Sequence, residues 1–85
     1  MSITIITPVW NNVDTIAHCI GCVNAQEERC QHILVDGGST DGTLAIIEQQ
    51  KASDAVLISE PDQGMYDAIN KGLKLATGDI VGVLN

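Results

Sequence analysis

Short apolar runs alternate along this chain with stretches whose apolar residues recur at helical spacing, and that alternation restricts the possible folds more than any other feature. Ile3 to Pro8 is an apolar run ended by proline. Val13, Ile16, Ala17, Ile20 and Val23 then form a helical stripe, with Asn11 or Asn12 available as its N-cap. Gln31 to Asp36 carries Ile33-Leu34-Val35, bounded by Gly37-Gly38, and reads as a buried second strand. Asp41-Gly42-Thr43 opens a second helix that turns Leu44, Ile46 and Ile47 inward, and Ser53-Asp54 closes it before the strand Ala55 to Ser59. Met65, Ala68, Ile69, Gly72, Leu73 and Ala76 make a third helical stripe, with Gly78 placed as its C-terminal cap, and Ile80 to Leu84 is a last strand. Such a rhythm calls for an α/β fold: a mostly parallel four-stranded sheet flanked by helices, joined by right-handed crossovers. Trp10 and Tyr66 are the only aromatic residues, so the core is built from Ile, Val, Leu and Ala.

Charge narrows the partners. Four basic residues against eleven acidic ones give a net charge of −7, with no cluster of Lys or Arg, which argues against nucleic acid. Any phosphorylated ligand would need a divalent cation or helix N-termini to offset its charge. No apolar run approaches the roughly 20 residues that span a bilayer, and the N-terminus lacks the basic head of a signal peptide. The segment reads as cytoplasmic, compatible with the cytosolic part of a longer membrane-associated protein. Three cysteines, Cys19, Cys22 and Cys30, are an odd number and argue against a disulfide framework. With His18 and His32 they raise the question of zinc, but their spacing matches no established ligand pattern. Helical geometry turns Cys22 to solvent and leaves Cys19 beside the core, and free thiols are the better reading.

In an open parallel sheet, ligands bind beyond the carboxyl ends of the strands. Those ends carry Thr7-Pro8-Val9-Trp10-Asn11, Asp36-Gly37-Gly38-Ser39-Thr40-Asp41-Gly42 and Glu60-Pro61-Asp62-Gln63-Gly64, whereas the opposite loops are ordinary. Asp36, at a strand tip beside two glycines, is placed to accept a ring N–H or a ribose hydroxyl; the competing reading is an Asx-type turn. Asp41 reads as a cap of the second helix. Trp10 either lies against a nucleobase or covers the sheet end, and both readings stand. Asp62 either caps the third helix or faces a ligand. Asp67, Asn70 and Lys71 fit a solvated helix face. No nucleophile has a plausible base, so no catalytic set can be assembled. The glycine patterns of dinucleotide and P-loop sites are absent.

Four blocks, in order, carry a resemblance: Ile-Ile-Thr-Pro-Val-Trp-Asn, Val-Asp-Gly-Gly-Ser-Thr-Asp-Gly-Thr, Ser-Glu-Pro-Asp-Gln-Gly-Met-Tyr-Asp-Ala-Ile-Asn-Lys-Gly and Ala-Thr-Gly-Asp-Ile-Val-Gly-Val-Leu-Asn. Across essentially the whole chain they resemble family-2 glycosyltransferases of bacterial polysaccharide synthesis, including the colanic acid type. The resemblance implies the Rossmann-like N-terminal half of a GT-A fold. It also implies a nucleotide-binding set: Thr7, Pro8, Val9 and Trp10 along the nucleoside pocket, Asp36 beside Gly38 as polar anchor of the base, and Asp62 to Lys71 closing the other side. The implied ligand is a nucleotide diphosphate sugar, UDP-type first, and the parent's acceptor is a glycan. Tyrosine or phenylalanine is common in the family where Trp10 stands. The family's acidic D-x-D metal motif would follow Leu84-Asn85, so Mg²⁺ or Mn²⁺ is expected for a full-length protein and not for this piece, which reads as truncated and inactive. Two alternatives are another nucleotide-cofactor domain, such as a methyltransferase, and a non-catalytic module that forms homo-oligomers through exposed strand edges.

Overall fold

The computed structural model describes residues 2–26 and 30–84. Its elements run β1 (Ile3–Val9), α1 (Ile16–Asn24), β2 (Cys30–Asp36), α2 (Thr43–Gln50), β3 (Val56–Ser59), α3 (Met65–Leu75) and β4 (Ile80–Val83). The strands form one sheet in the order β3-β2-β1-β4, and every pairing is parallel. The α/β architecture expected from the alternation is therefore present. Moving from β1 through β2 to β3 keeps α1 and α2 on one face; the return to β4, on the far side of β1, puts α3 on the other, as right-handed crossovers require.

Strand pleating divides the core in two. Val9 and Leu34 meet Ile16, Ile20 and Ile47 on the α1/α2 face. Ile6, Ile33 and Val35 meet Ala68 of α3 on the other. Gly72 brings α3 close: a Cβ there would lie 2.7 Å from Ile6 Cγ2, and Ile6 is fully buried.

Several boundaries differ from the sequence expectation for identifiable reasons. β1 continues through Pro8 to Val9. Val9 O accepts the Gly37 N–H on the β2 side and Ile6 O accepts the Leu84 N–H on the β4 side. By alternation the missing N–H of Pro8 faces β4, beyond the last paired residues Ile6 and Val83, and costs the β2 ladder nothing. α1 begins at Ile16 with Thr15 as N-cap; Asn12 contributes its backbone carbonyl to the Ile16 N–H rather than a side-chain cap. In α3, Ala68 and Gly72 are buried, but Met65 and Leu73, expected inward, are exposed. Gly78 does not cap α3, whose C-cap is Ala76 in an extended conformation. Gly78 is instead pressed against β1: a Cβ would lie 2.7 Å from the Thr4 backbone nitrogen, and its own N–H donates to Thr4 Oγ1 at 2.9 Å. At the edge of the sheet, Ile80, Val81 and Val83 of β4 are exposed.

His32 is 3% exposed, between the sheet and α1. Its Nε2 shares a 2.8 Å hydrogen bond with the Thr7 hydroxyl, and its Nδ1 has no partner among the described residues. Burial pushes its pKa below the ordinary imidazole value. The unfolded chain therefore binds a proton as pH falls through about 6.5 while the folded chain resists it. Stability is fully present above that value and declines below it, by at most about 1.4 kcal/mol per pH unit for the one proton. Urea midpoints between pH 7.5 and 5.5 should fall accordingly, and His32→Gln should flatten the dependence.

Candidate functional site

The strand order reverses at β1, and a cavity of about 600 Å³ opens at its carboxyl end on the α3 side. Pro8, Val9, Trp10 and Asn12 form one wall; Gly37 and Asp62 form the floor; Gly64, Met65 and Ala68 at the start of α3 form the other wall. A crevice at a topological switch point is where an open α/β sheet places its ligand.

Hydrogen bonds between loops fix the shape of this end. Asn11 takes up a positive φ of 49°, donates its N–H to Ser39 Oγ at 2.8 Å and accepts the Thr40 N–H on its Oδ1 at 2.8 Å. The Asn12 N–H donates to Thr43 Oγ1 at 3.0 Å, and the Val13 N–H donates to Asp41 Oδ2 at 3.2 Å. Asp41 also accepts the Thr43 N–H at 3.1 Å in an Asx-type turn, but it is not the cap expected from the sequence: the N-cap of α2 is Gly42, which makes no side-chain cap hydrogen bond. The Trp10 N–H donates to Asn12 Oδ1 at 2.8 Å, setting the backbone from which the indole, 64% exposed, projects at the cavity mouth.

Asp36 is wholly enclosed. Its register partner is Val9, whose side chain packs on the α1/α2 face, and pleating sends the Asp36 carboxylate to that same face, so that Asp36 is not among the residues lining the cavity. Its Oδ2 accepts the N–H groups of Gly38 and Ser39 and the Ser59 hydroxyl, each at 3.0 Å, and its Oδ1 accepts the Ser39 hydroxyl. The carboxylate is thus taken up in shaping its own loop, and Gly38, at a φ of 98°, is part of that turn. At the tip of β2 it is Gly37, not Asp36, that faces the cavity.

Of the residues singled out in the sequence, the structure brings Pro8, Val9, Trp10 and Asp62 together around the cavity. Thr7 lies behind it, bonded to His32. Lys71 also stands back: its ammonium donates to Pro61 O at 3.1 Å and pairs with Glu60 at 3.1 Å and Asp67 at 3.6 Å, tying the 60–62 loop to α3. Asp62 does act on the helix entry, since its Oδ1 accepts the Gly64 N–H at 3.0 Å. Sequence reasoning missed Asn12 as a lining residue; it assigned the 62–71 segment to the far side of the site without singling out Met65 and Ala68, and the inward placing of Met65 on the third stripe hid its position at the cavity mouth.

Among the described residues no three His, Cys, Asp or Glu side chains converge as a metal-holding group. The candidate zinc set is dispersed. Cys22 Sγ and His18 Nε2 lie 3.6 Å apart on the outside of α1, while His32 is in the core. All three cysteines are free, and burial raises the Cys19 pKa.

Comparison with known proteins adds the decisive observation: the family model for glycosyl transferase family 2 matches residues 4–85. The chain belongs to that family. It is 36% identical over 86 residues to an uncharacterized glycosyltransferase of Mycobacterium tuberculosis, covering 99% of this chain and 33% of the relative. It is 34% identical over 89 residues to the glycosyltransferase AglE of Haloferax volcanii, covering 98% of this chain and 29% of AglE. Among solved structures it resembles the mannosyltransferase PcManGT of Pyrobaculum calidifontis, solved with GDP-Man and Mn²⁺. There the TM-score is 0.84 at 29% identity, covering 93% of this chain and 25% of that one. This family-2 chain spans about a third of the length of the curated relatives it matches.

Proposed function

We propose that the whole protein transfers a sugar from a nucleotide diphosphate donor to a glycan acceptor, and that these 85 residues supply the nucleoside part of the donor site. The observation that carries this reading is the position of the cavity. It lies at the carboxyl end of β1 at the switch point, between an exposed Trp10 and the start of α3, in a family-2 chain. An indole at the mouth of a partly apolar crevice suits the face of a nucleobase. The GDP-Man complex of PcManGT supports a nucleotide-sugar ligand. Uridine and guanosine diphosphates are the first candidates.

The chain is less suited to the phosphates. It carries a net charge of −7. At the entry to α3 the Gln63 N–H is taken by Asp67 Oδ2 and the Gly64 N–H by Asp62 Oδ1, each at 3.0 Å, so neither donor is free for an anion. A divalent cation would offset diphosphate charge in the whole enzyme, but the residues described do not assemble a site for one. What these residues do is bind and orient the nucleoside and keep water from one face of it.

Titrating UDP and GDP into the chain, with and without Mn²⁺, while following Trp10 fluorescence tests the reading. A saturable change is expected, with a Kd on the order of 1 mM, about −4 kcal/mol. No saturable change up to about ten times that concentration would remove the proposal.

A further inference from the structure

Gly37 and Asp62 stand in a relation that the backbone alone does not require. Gly38, next along the chain, needs its freedom for a φ of 98°, whereas Gly37 is not among the residues with positive φ. What glycine provides at 37 is room. A Cβ there would lie 2.7 Å from Asp62 Oδ2 and 2.9 Å from its Cγ, so any side chain at this position expels the carboxylate. Asp62 is also held in one orientation. Its Oδ1 accepts the Gly64 N–H at 3.0 Å, and its Oδ2 rests over Gly37. Both residues line the cavity that has Trp10 on its other wall.

We propose that Asp62, and not the enclosed Asp36, reads the nucleobase, and that it selects bases presenting a ring N–H on their Watson–Crick edge. The inference rests on the nucleoside-site reading above. An ionised carboxylate can only accept hydrogen bonds. Uracil offers N3–H and guanine offers N1–H with an adjacent amine. Cytosine N3 and adenine N1 are instead lone pairs that would face the carboxylate beside their amines. A buried acceptor left against another acceptor is costly, which is how a polar site rejects the wrong ligand. Oδ2, over Gly37 in the cavity lining, thus favours uridine and guanosine diphosphates over cytidine and adenosine diphosphates.

The discriminating variant is Asp62→Asn. Its Oδ1 can keep the Gly64 N–H, which places Nδ2, a donor, where Oδ2 was. Calorimetric titration of wild type, Asp62→Asn and Gly37→Ala with UDP, GDP, CDP and ADP reads the effect, with circular dichroism confirming that each variant is folded. Wild type should prefer UDP or GDP by about tenfold or more. Asp62→Asn should lose about tenfold for that preferred ligand while CDP or ADP holds or gains, and Gly37→Ala should erode the preference by displacing the carboxylate. Binding of UDP or GDP by folded Asp62→Asn with unchanged base preference overturns the role of Asp62 alone. Absence of binding by wild type overturns this inference together with the nucleoside site.

Discussion

Asp36→Ala should be the most damaging single substitution in the β2–α2 loop, costing about 3–5 kcal/mol of stability. The wild-type carboxylate is fully buried and satisfies four donors: the N–H groups of Gly38 and Ser39 and the hydroxyls of Ser39 and Ser59. Hydrogen bonds to an ionised acceptor are the stronger kind, and removing the acceptor leaves its donors unpaired at a position closed to solvent. Small domains hold net stabilities of only about 5 kcal/mol, so this loss should leave much of the chain unfolded at room temperature. The effect should also spread, because Ser39 Oγ accepts the Asn11 N–H and thereby holds the loop that carries Trp10. Asp36→Asn, which keeps one oxygen, should fall between, and Ser59→Ala should cost about 1 kcal/mol. Urea denaturation followed by circular dichroism measures all three. An Asp36→Ala variant within about 1 kcal/mol of wild type would show that the carboxylate network is not what shapes this end of the sheet.

Trp10→Ala should behave in the opposite way, weakening nucleoside binding while leaving stability nearly unchanged. The indole is 64% exposed, and exposed substitutions away from caps and networks usually shift stability by no more than about 0.5 kcal/mol. If the base lies on the indole, its removal should cost about 1–3 kcal/mol of binding, roughly a five- to 150-fold rise in Kd. Trp10→Phe should recover most of the loss, because a π-face and its area remain. Calorimetry decides, since the variant lacks the fluorophore. Loss of stability without loss of affinity would favour the other reading of Trp10, a cover for the sheet end.

The contrast between these two residues shows what could be read in the amino-acid sequence. Periodicity revealed the order of elements and the collection of glycine-rich loops at one end of the sheet, because pleat and helix pitch are local properties. It did not reveal which face each strand residue takes. Asp36 sits at a strand tip beside glycines, as a ligand anchor would, but pairing Val9 with Asp36 turns both side chains toward α1 and α2. That register depends on contacts between distant segments. Gly78 illustrates the same limit: its spacing suits a helix cap, yet the approach of Thr4 is what excludes a side chain there. Lys71 was legible as part of the helix face, but its engagement with Glu60 and Asp67 required the loop and helix together. The relation between Gly37 and Asp62 spans two loops and has no local signature.

Nitrogen-15 NMR of the labelled chain during titration with UDP and GDP is the most direct test of the central claim. The account predicts saturable shifts centred on the Trp10 indole N–H and the amides of Gly37, Gly64 and Ala68. Ile3, Thr77 and Gly78, at the opposite end of the strands, should stay still. Shifts centred on that opposite end, or no saturable shift with either nucleotide, would contradict a nucleoside site at the carboxyl end of β1.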